Sequence, residues 1–382
     1  MKRFNIMNTR MKPMVVACAL AAMAGQAGAQ DYYLAAKAFT KTMPDGSTVP
    51  MWGYVEDTGG ACYGAATRVA RLNCVNALPD PSVPGPRLTV PPTDLNLRVF
   101  LSNGLPEPTS IVIPSQEIPF SQTDNGPTWN DGTTGARGAD LTKRVRSFGR
   151  EAISDGGRQR YLWNNFRGTP FDRPGTFIYH SGTHPQKQVY MGLYGAATKD
   201  AATGAAYTGV PYDNEVILFY SDIDPVINAA VAGGTYQTSI DYKARWFLIN
   251  GEPYQDGMVP ISAGTAGPLT AGQNVLLRFL STSSETHVPV LQNLYGTIHA
   301  EDGIQYTWQD GSTVMAASPR MQYSVALPAL KTKDVIVNPT TAGSYAVYDG
   351  NGYMTNPSDP EDITQSDTVG GMLRFLSVSA AP

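Results

Sequence analysis

Strand-length segments of period-two hydrophobicity recur along the whole chain, each closed by Gly, Pro, Asn or Asp, and no long amphipathic helix separates them. "DLNLRVFLSN" alternates, "TSIVIP" has the apolar run of a buried strand, and "GTFIYHS" and "EVILFYSDI" follow before a Gly-rich break near 233. Beyond it come "ARWFLINGEPY", "QNVLLRFLSTSS", "QYSVALPAL", "KDVIVNPTTAGSYAVYDG" and "GGMLRFLSVSA". A chain that turns this often without crossover helices has no βαβ units. It is predicted to be all-β, a sandwich of short antiparallel strands. The 38 Gly and 29 Pro supply the turns, and a charged fraction of only 16% suits strands with covered faces.

The first 29 residues stand apart. Lys2, Arg3, Arg10 and Lys12 lead into the apolar "PMVVACALAAMAG", and "AGA" at 27–29 has the small residues of an export cleavage site. The run is too short and Ala-rich for a membrane span, and no later segment is long and apolar enough to be one. The lipoprotein-like "VVAC" ending at Cys18 has too little apolar sequence before it. Removing 1–29 takes away four basic and no acidic residues, so the formal charge moves from -4 to -8. That balance argues against nucleic acid or anionic lipid as a partner. The expected location is the periplasm or the cell exterior. There Cys62 and Cys74, twelve residues apart, are expected to form a disulfide. Two thiols serving a metal are the alternative, with no histidine nearby to help.

The remaining length fits two domains. The division is expected around 225–240, giving 30–230 and 231–382. One segment departs from the strand-and-turn pattern: residues 131–173 hold nine Lys or Arg and five Asp or Glu. It reads either as a long solvated loop with a helical turn or two, or as a docking surface for a protein partner or a second copy of the chain.

The order of motifs resembles the multicopper oxidases. "PGPRLTVPPTDLNLRVFLSNGLPEPTSIVIP" at 84–114 resembles the first cupredoxin domain of that family, where "TSIHWHG" ends the corresponding run. "RPGTFIYHSGTHPQKQVYMGLYG" at 173–195 resembles its later "PGTFWYHSH…GLYG" segment. "FLINGEPY", "LYGTIHAEDG" and "TKDVIVNPTTAGSYAVYD" resemble the second domain. The resemblance covers about 80–376 and implies two tandem cupredoxin-like Greek-key sandwiches or barrels, with the basic segment as an insertion in the first.

The metal ligands of the family do not carry over. Its "HWH" histidines fall on Val112 and Pro114; of "HSH", the first falls on His180 and the second on Gly182. The two-domain nitrite reductases would have a cysteine at Ser181. The segment supplying the type 1 thiolate has no counterpart. The four histidines of the chain, His180, His184, His287 and His299, are too few for a three-copper cluster. Four-copper oxidase chemistry is therefore not expected.

A single copper is the remaining metal reading. In a straight strand His180 and His184 would share a face but lie about 13 Å apart; the intervening "SGT" suggests a turn that could bring them together. Met191 would then add a soft ligand favouring Cu(I). For His299 two readings stand, Glu301 on the same strand face as a carboxylate partner or a structural hydrogen bond at the strand end, and His287 has no second histidine near it in sequence. The tyrosines of "QDYYLAAK" and "YQTSIDYKARW" suggest an exposed aromatic surface or ordinary sandwich packing. The sequence as a whole reads as an exported, non-catalytic structural or binding protein, part of an oligomer or a redox-associated assembly. A mononuclear copper protein using His180 and His184 is the alternative.

Overall fold

The computed structural model describes residues 30–117, 128–129, 145–164, 168–310, 313–316, 320–357 and 367–382, and they are predominantly β. The signal-like segment 1–29 and the stretch 131–144, with Arg144, lie outside the described residues. The first sheet has the order Thr48–Glu56, Gln30–Thr42, Leu97–Asn103, Gly157–Trp163. Alternation builds it: Leu97, Val99 and Leu101 are fully buried in the first core, whereas Arg98 pairs with Asp31 at 2.5 Å and Phe100 stacks on Tyr33 at 4.6 Å on the other face. A three-stranded sheet, Gly85–Val90, Tyr194–Lys199 and Gly175–His180, contributes Leu88, Phe177, Tyr179 and Ala197 to the same core.

A second sheet runs Trp246–Ile249, Asn214–Ile223, Val275–Ser281, Thr332–Val337, Gly296–Glu301, Ile304–Gln305, with Arg320–Gln322 also pairing to Gly296–Glu301. A three-stranded sheet of Pro289–Leu291, Gly343–Asp349 and Leu373–Val378 shares its core, through Leu291, Val347 and Leu376. The opening order recurs in both large sheets: a hairpin partner, then a first strand, then a strand parallel to it, then an antiparallel one. Asn214–Ile223 lies before the expected break at 225–240 yet is a strand of the second sheet.

Val275–Ser281 is buried at every residue because both of its faces are covered. Leu277 and Phe279 enter the second core. Leu276 packs with Tyr207 and Val210, and Leu280 with Ile178, Tyr194 and Phe219. Arg278 lies on this latter face, with no exposure, and meets the first half of the chain electrostatically. Its Nε donates to Glu215 at 2.5 Å, its guanidinium reaches Asp200 at 2.6 Å and donates to Thr176 Oγ1 at 2.9 Å, and Asp334 is 3.9 Å away. Arg87 reaches the other Glu215 oxygen at 2.7 Å. Close backbone approach adds to this contact: Gly251 has φ +81°, and a Cβ there would sit 1.8 Å from Val83 O.

Two parts of the first half differ from what periodicity suggests. "QDYYLAAK" opens a 13-residue strand inside the sheet rather than an exposed aromatic surface. The basic segment is not one continuous loop, since Gly157–Trp163 is the fourth strand of the first sheet and Val145–Ser147 pairs with Thr128–Trp129. Cys62 and Cys74 are joined by a disulfide, Cys74 lying on the helix Arg68–Ala77, which Thr67 caps through its hydroxyl. Among the described residues no helix is long and apolar enough to cross a membrane.

Candidate functional site

The strand Gly175–His180 is buried throughout and ends at its histidine. His180 exchanges backbone hydrogen bonds with Val112 at 2.9 and 3.0 Å, and Ser181 N then turns to Leu193 O at 3.0 Å. Thr183 bridges to Ser147, and His184, in the left-handed region at φ 41°, opens the single helical turn Pro185–Gln188. Ser181–Thr183 themselves make no turn; the chain bends at His184, after the Thr183 bridge.

The two imidazoles have different surroundings. His180 Nδ1 lies 2.8 Å from Ser181 O, and a carbonyl only accepts, so Nδ1 carries the proton and Nε2 keeps a lone pair. That Nε2 is buried with no hydrogen-bond partner among the described residues. Burial holds the ring below the ordinary histidine range, against the Ser181 bond, which keeps it neutral at pH 7. His184 is half-buried; burial and Lys187 lower its pKa, while Glu107 and Glu151 oppose them. It sits among surface charges, where Lys187 pairs with Glu107 at 2.5 Å and Arg146 with Glu151 at 2.5 Å. Met191 is fully buried in the first hydrophobic core.

The positions that correspond to family ligands do come together, carrying other side chains. Val112 is hydrogen-bonded to His180, and a Cβ at Gly182 would fall 2.7 Å from Val112 Cγ1 and 3.1 Å from Ser110 Oγ. Hydroxyls fill the space around them. Thr183 Oγ1 and Ser147 Oγ each lie 3.0 Å from Ser110 Oγ and 3.0 Å from one another, and Ser147 donates to Gly149 O at 2.8 Å. Beside them Gln188 Oε1 accepts from Ser181 at 2.6 Å and from Thr109 at 2.9 Å, and its Nε2 donates to Pro108 O at 2.9 Å. These groups are neutral and mutually satisfied, which makes them poor ligands for copper compared with imidazole or thiolate.

His287 has one partner four residues away and one far from it in sequence. Its Nδ1 is 3.5 Å from Asp349 Oδ2 and its Nε2 is 2.7 Å from Ser283 Oγ, with all three residues at most 1% exposed. The Ser283 hydroxyl donates to Asp222, so Nε2 must donate to Ser283. A nucleophile paired with a general base needs the opposite direction. Asp222 also accepts from Tyr242 at 2.8 Å and Ser284 N at 3.1 Å. This is a buried structural relay in which His287 Nδ1 makes no hydrogen bond among the described residues. A signal for it is present in sequence as the polar run "STSSETH" placed between two apolar strands.

Of the two readings of His299, the carboxylate partner is not found, since Glu301 is engaged elsewhere. Glu301 instead binds Lys333 at 2.7 Å and Lys331 at 2.9 Å and accepts from Tyr306 at 2.8 Å. All four histidines and both disulfide cysteines fall within the described residues, and among these residues no three His, Cys, Asp or Glu side chains gather as a metal site.

The architecture is that of the multicopper oxidases. A blue copper oxidase from Nitrosomonas europaea matches with TM-score 0.61 at 14% identity, over 92% of this chain and 86% of the other. The multicopper oxidase mgLAC matches equally well, with TM-score 0.61, 14% identity and coverage of 92% and 86%. A laccase from Botrytis aclada matches at TM-score 0.54 and 19% identity, over 90% of this chain and 55% of its own. Identities this low show a shared fold alone. No protein-family model and no curated protein matches the sequence. The copper ligands that the sequence resemblance implies are not matched here: valine, proline and glycine stand at three of those positions, and Cys62 and Cys74 are joined to each other.

Proposed function

We propose that the chain is an exported, non-catalytic cupredoxin-like protein of two tandem Greek-key domains, divided just ahead of Asn214, which works within an oligomer or a redox-associated assembly. The observation that carries this is the packing of Val112 against Gly182 and the satisfied hydroxyls around them, where an oxidase would hold copper. Export to the periplasm or cell exterior is supported by the signal-like segment and the Cys62–Cys74 disulfide. Protein purified from its native compartment and titrated with Cu(I) and Cu(II) is expected to hold no copper above background by elemental analysis. A second reading, one copper at His180, His184 and Met191, is favoured by the unpartnered Nε2 of His180. It predicts about one tightly held copper per chain, lost in the His180→Ala, His184→Ala double variant.

The contact surface is assigned to the basic segment. Phe148 and Ile153 are 56% and 55% exposed within it, close in sequence to Arg146 and Arg150. Exposed apolar side chains with arginine nearby in sequence are in keeping with an interface. Neutralising Arg144, Arg146 and Arg150 to glutamine is expected to shift the native mass, by light scattering, from an oligomer toward the single chain. Unchanged mass and unchanged partner capture would remove this surface from consideration.

A further inference from the structure

The outer edge of the strand Gly296–Glu301 is shared by two short strands. Arg320–Gln322 pairs with residues 296–298, and Ile304–Gln305 with residues 300–301. His299 lies at the gap between them. On the inner edge Ile298 faces Val335 and Ala300 faces Asp334, so His299 is the extra residue of a β-bulge. A bulge re-aims the side chain it carries and is enriched beside binding sites. The backbone oxygen of His299 is used to hold Tyr306 N at 2.8 Å, which fixes the turn that follows.

A cavity of about 840 Å³ opens there, large enough for a small molecule. His299, Thr297 and Gln322 offer polar atoms to it, and Ile298, Ile304 and Val210 form apolar wall. Among the described residues the charges around it do not cancel. Lys331 and Lys333 are matched by Glu301 and Asp302, whereas Arg320, exposed at the rim, has no ion pair among the described residues. Burial holds the His299 imidazole below the ordinary range, opposed by Asp334, so it meets a ligand as a neutral donor or acceptor.

We propose that this cavity binds a small amphipathic carboxylate, its charged end on the Arg320 guanidinium and its apolar body against Ile298 and Ile304. A guanidinium takes a carboxylate through paired N–H donors, and one uncompensated positive charge suits a monoanion. The site is built by the second sheet and the Val210–Pro211 strand, and none of its lining residues belongs to "YHSGTH".

Titration calorimetry of the full chain with 1-naphthoate, benzoate and octanoate, against their neutral amides, tests the assignment. At least one acid is expected to bind with Kd below about 1 mM, with its amide about 10-fold weaker or more. Arg320→Gln, at an exposed position that leaves the fold intact, is expected to weaken the acid by a similar factor. Proton NMR adds a readout specific to the cavity: of the four histidine Cε1–H signals, the one missing in His299→Gln should be the one the acid shifts. Failure of all three acids to bind overturns the proposal. So does equal binding of acid and amide, unchanged affinity in Arg320→Gln, or a shift confined to another histidine.

Discussion

Arg278→Met is expected to destabilise the fold by about 3–5 kcal/mol at neutral pH, read as a lowered midpoint of urea unfolding. The side chain is fully buried and is the cation that Glu215, Asp200 and Asp334 converge on. Asp334 is tied in further by Thr176 Oγ1 at 2.5 Å and by the Tyr207 hydroxyl, so the strands Gly175–His180, Val275–Ser281 and Thr332–Val337 are joined at one point. Methionine fills much of the volume but leaves three carboxylates facing only Arg87, which reaches Glu215 alone. The Glu215 contribution to the pH dependence should change sign. In the native protein burial pushes Glu215 upward, and Arg278 and Arg87 overcome this and hold it below the usual glutamate range. Such a group contributes stability above its unfolded pKa of about 4.3 and loses it as the pH falls further. Without the guanidinium, burial dominates at Glu215 and its folded pKa rises above the unfolded one, while Asp334, which burial already holds above the ordinary range against Arg278, rises further. The deficit should then be full at neutral pH and shrink as acidification protonates the carboxylates. Adding Glu215→Gln and Asp334→Asn to Arg278→Met is expected to recover part of the loss. A deficit under about 1 kcal/mol with no pH dependence would show the network to be energetically idle.

The strands were legible wherever one face was buried and the other was not, as in "DLNLRVFLSN", because alternation then reports the environment directly. Gln30–Thr42 escaped for the converse reason. Leu34 and Ala36 face the first core while Ala35 between them packs on Cys62 and Val75, so burial is continuous and no alternation shows. Arg278 did carry a signal: a lone cation in "NVLLRFLS", a run too apolar to be half-exposed, requires buried anionic partners. The bulge at His299 left none, since "GTIHAEDG" alternates normally and the extra residue is defined only against the partner strand. The four-copper centre could be excluded by counting histidines. What replaced its first-domain ligands could not be read, because Ser110, Ser147 and Thr183 are unremarkable one by one and meet only in the folded chain.

Restoring two of the missing ligands should therefore damage the fold before it creates a metal centre. Val112→His with Gly182→His is expected to cost about 2–6 kcal/mol, from overpacking at two sites, without yielding a tightly held copper. At Gly182 the new Cβ would enter at 2.7 Å from the side chain of residue 112 and 3.1 Å from Ser110 Oγ. To admit it, Ser110 must move, and Ser110 is bonded to both Ser147 and Thr183, while its carbonyl accepts from the buried Tyr54 hydroxyl at 2.9 Å. The displacement would break a neutral network whose members have no access to water, and each unsatisfied hydroxyl adds its own desolvation cost of about 1–3 kcal/mol. The imidazole at 112 would meet the same wall, because Gly149 already approaches Val112 closely, with a Cβ there only 3.3 Å from Cγ1. Smaller replacements separate sterics from chemistry. Gly182→Ala is expected to destabilise by about 1–3 kcal/mol, and a Val112→Ala change beside it should relieve part of that by opening room. If the double-histidine variant instead kept native stability and took up one copper per chain, the pocket would be pliant and its lost ligands recoverable by two substitutions. Destabilisation without copper would mean that the protein has rebuilt the interior of the old site around hydroxyls, so that its role rests on surfaces and on what they hold.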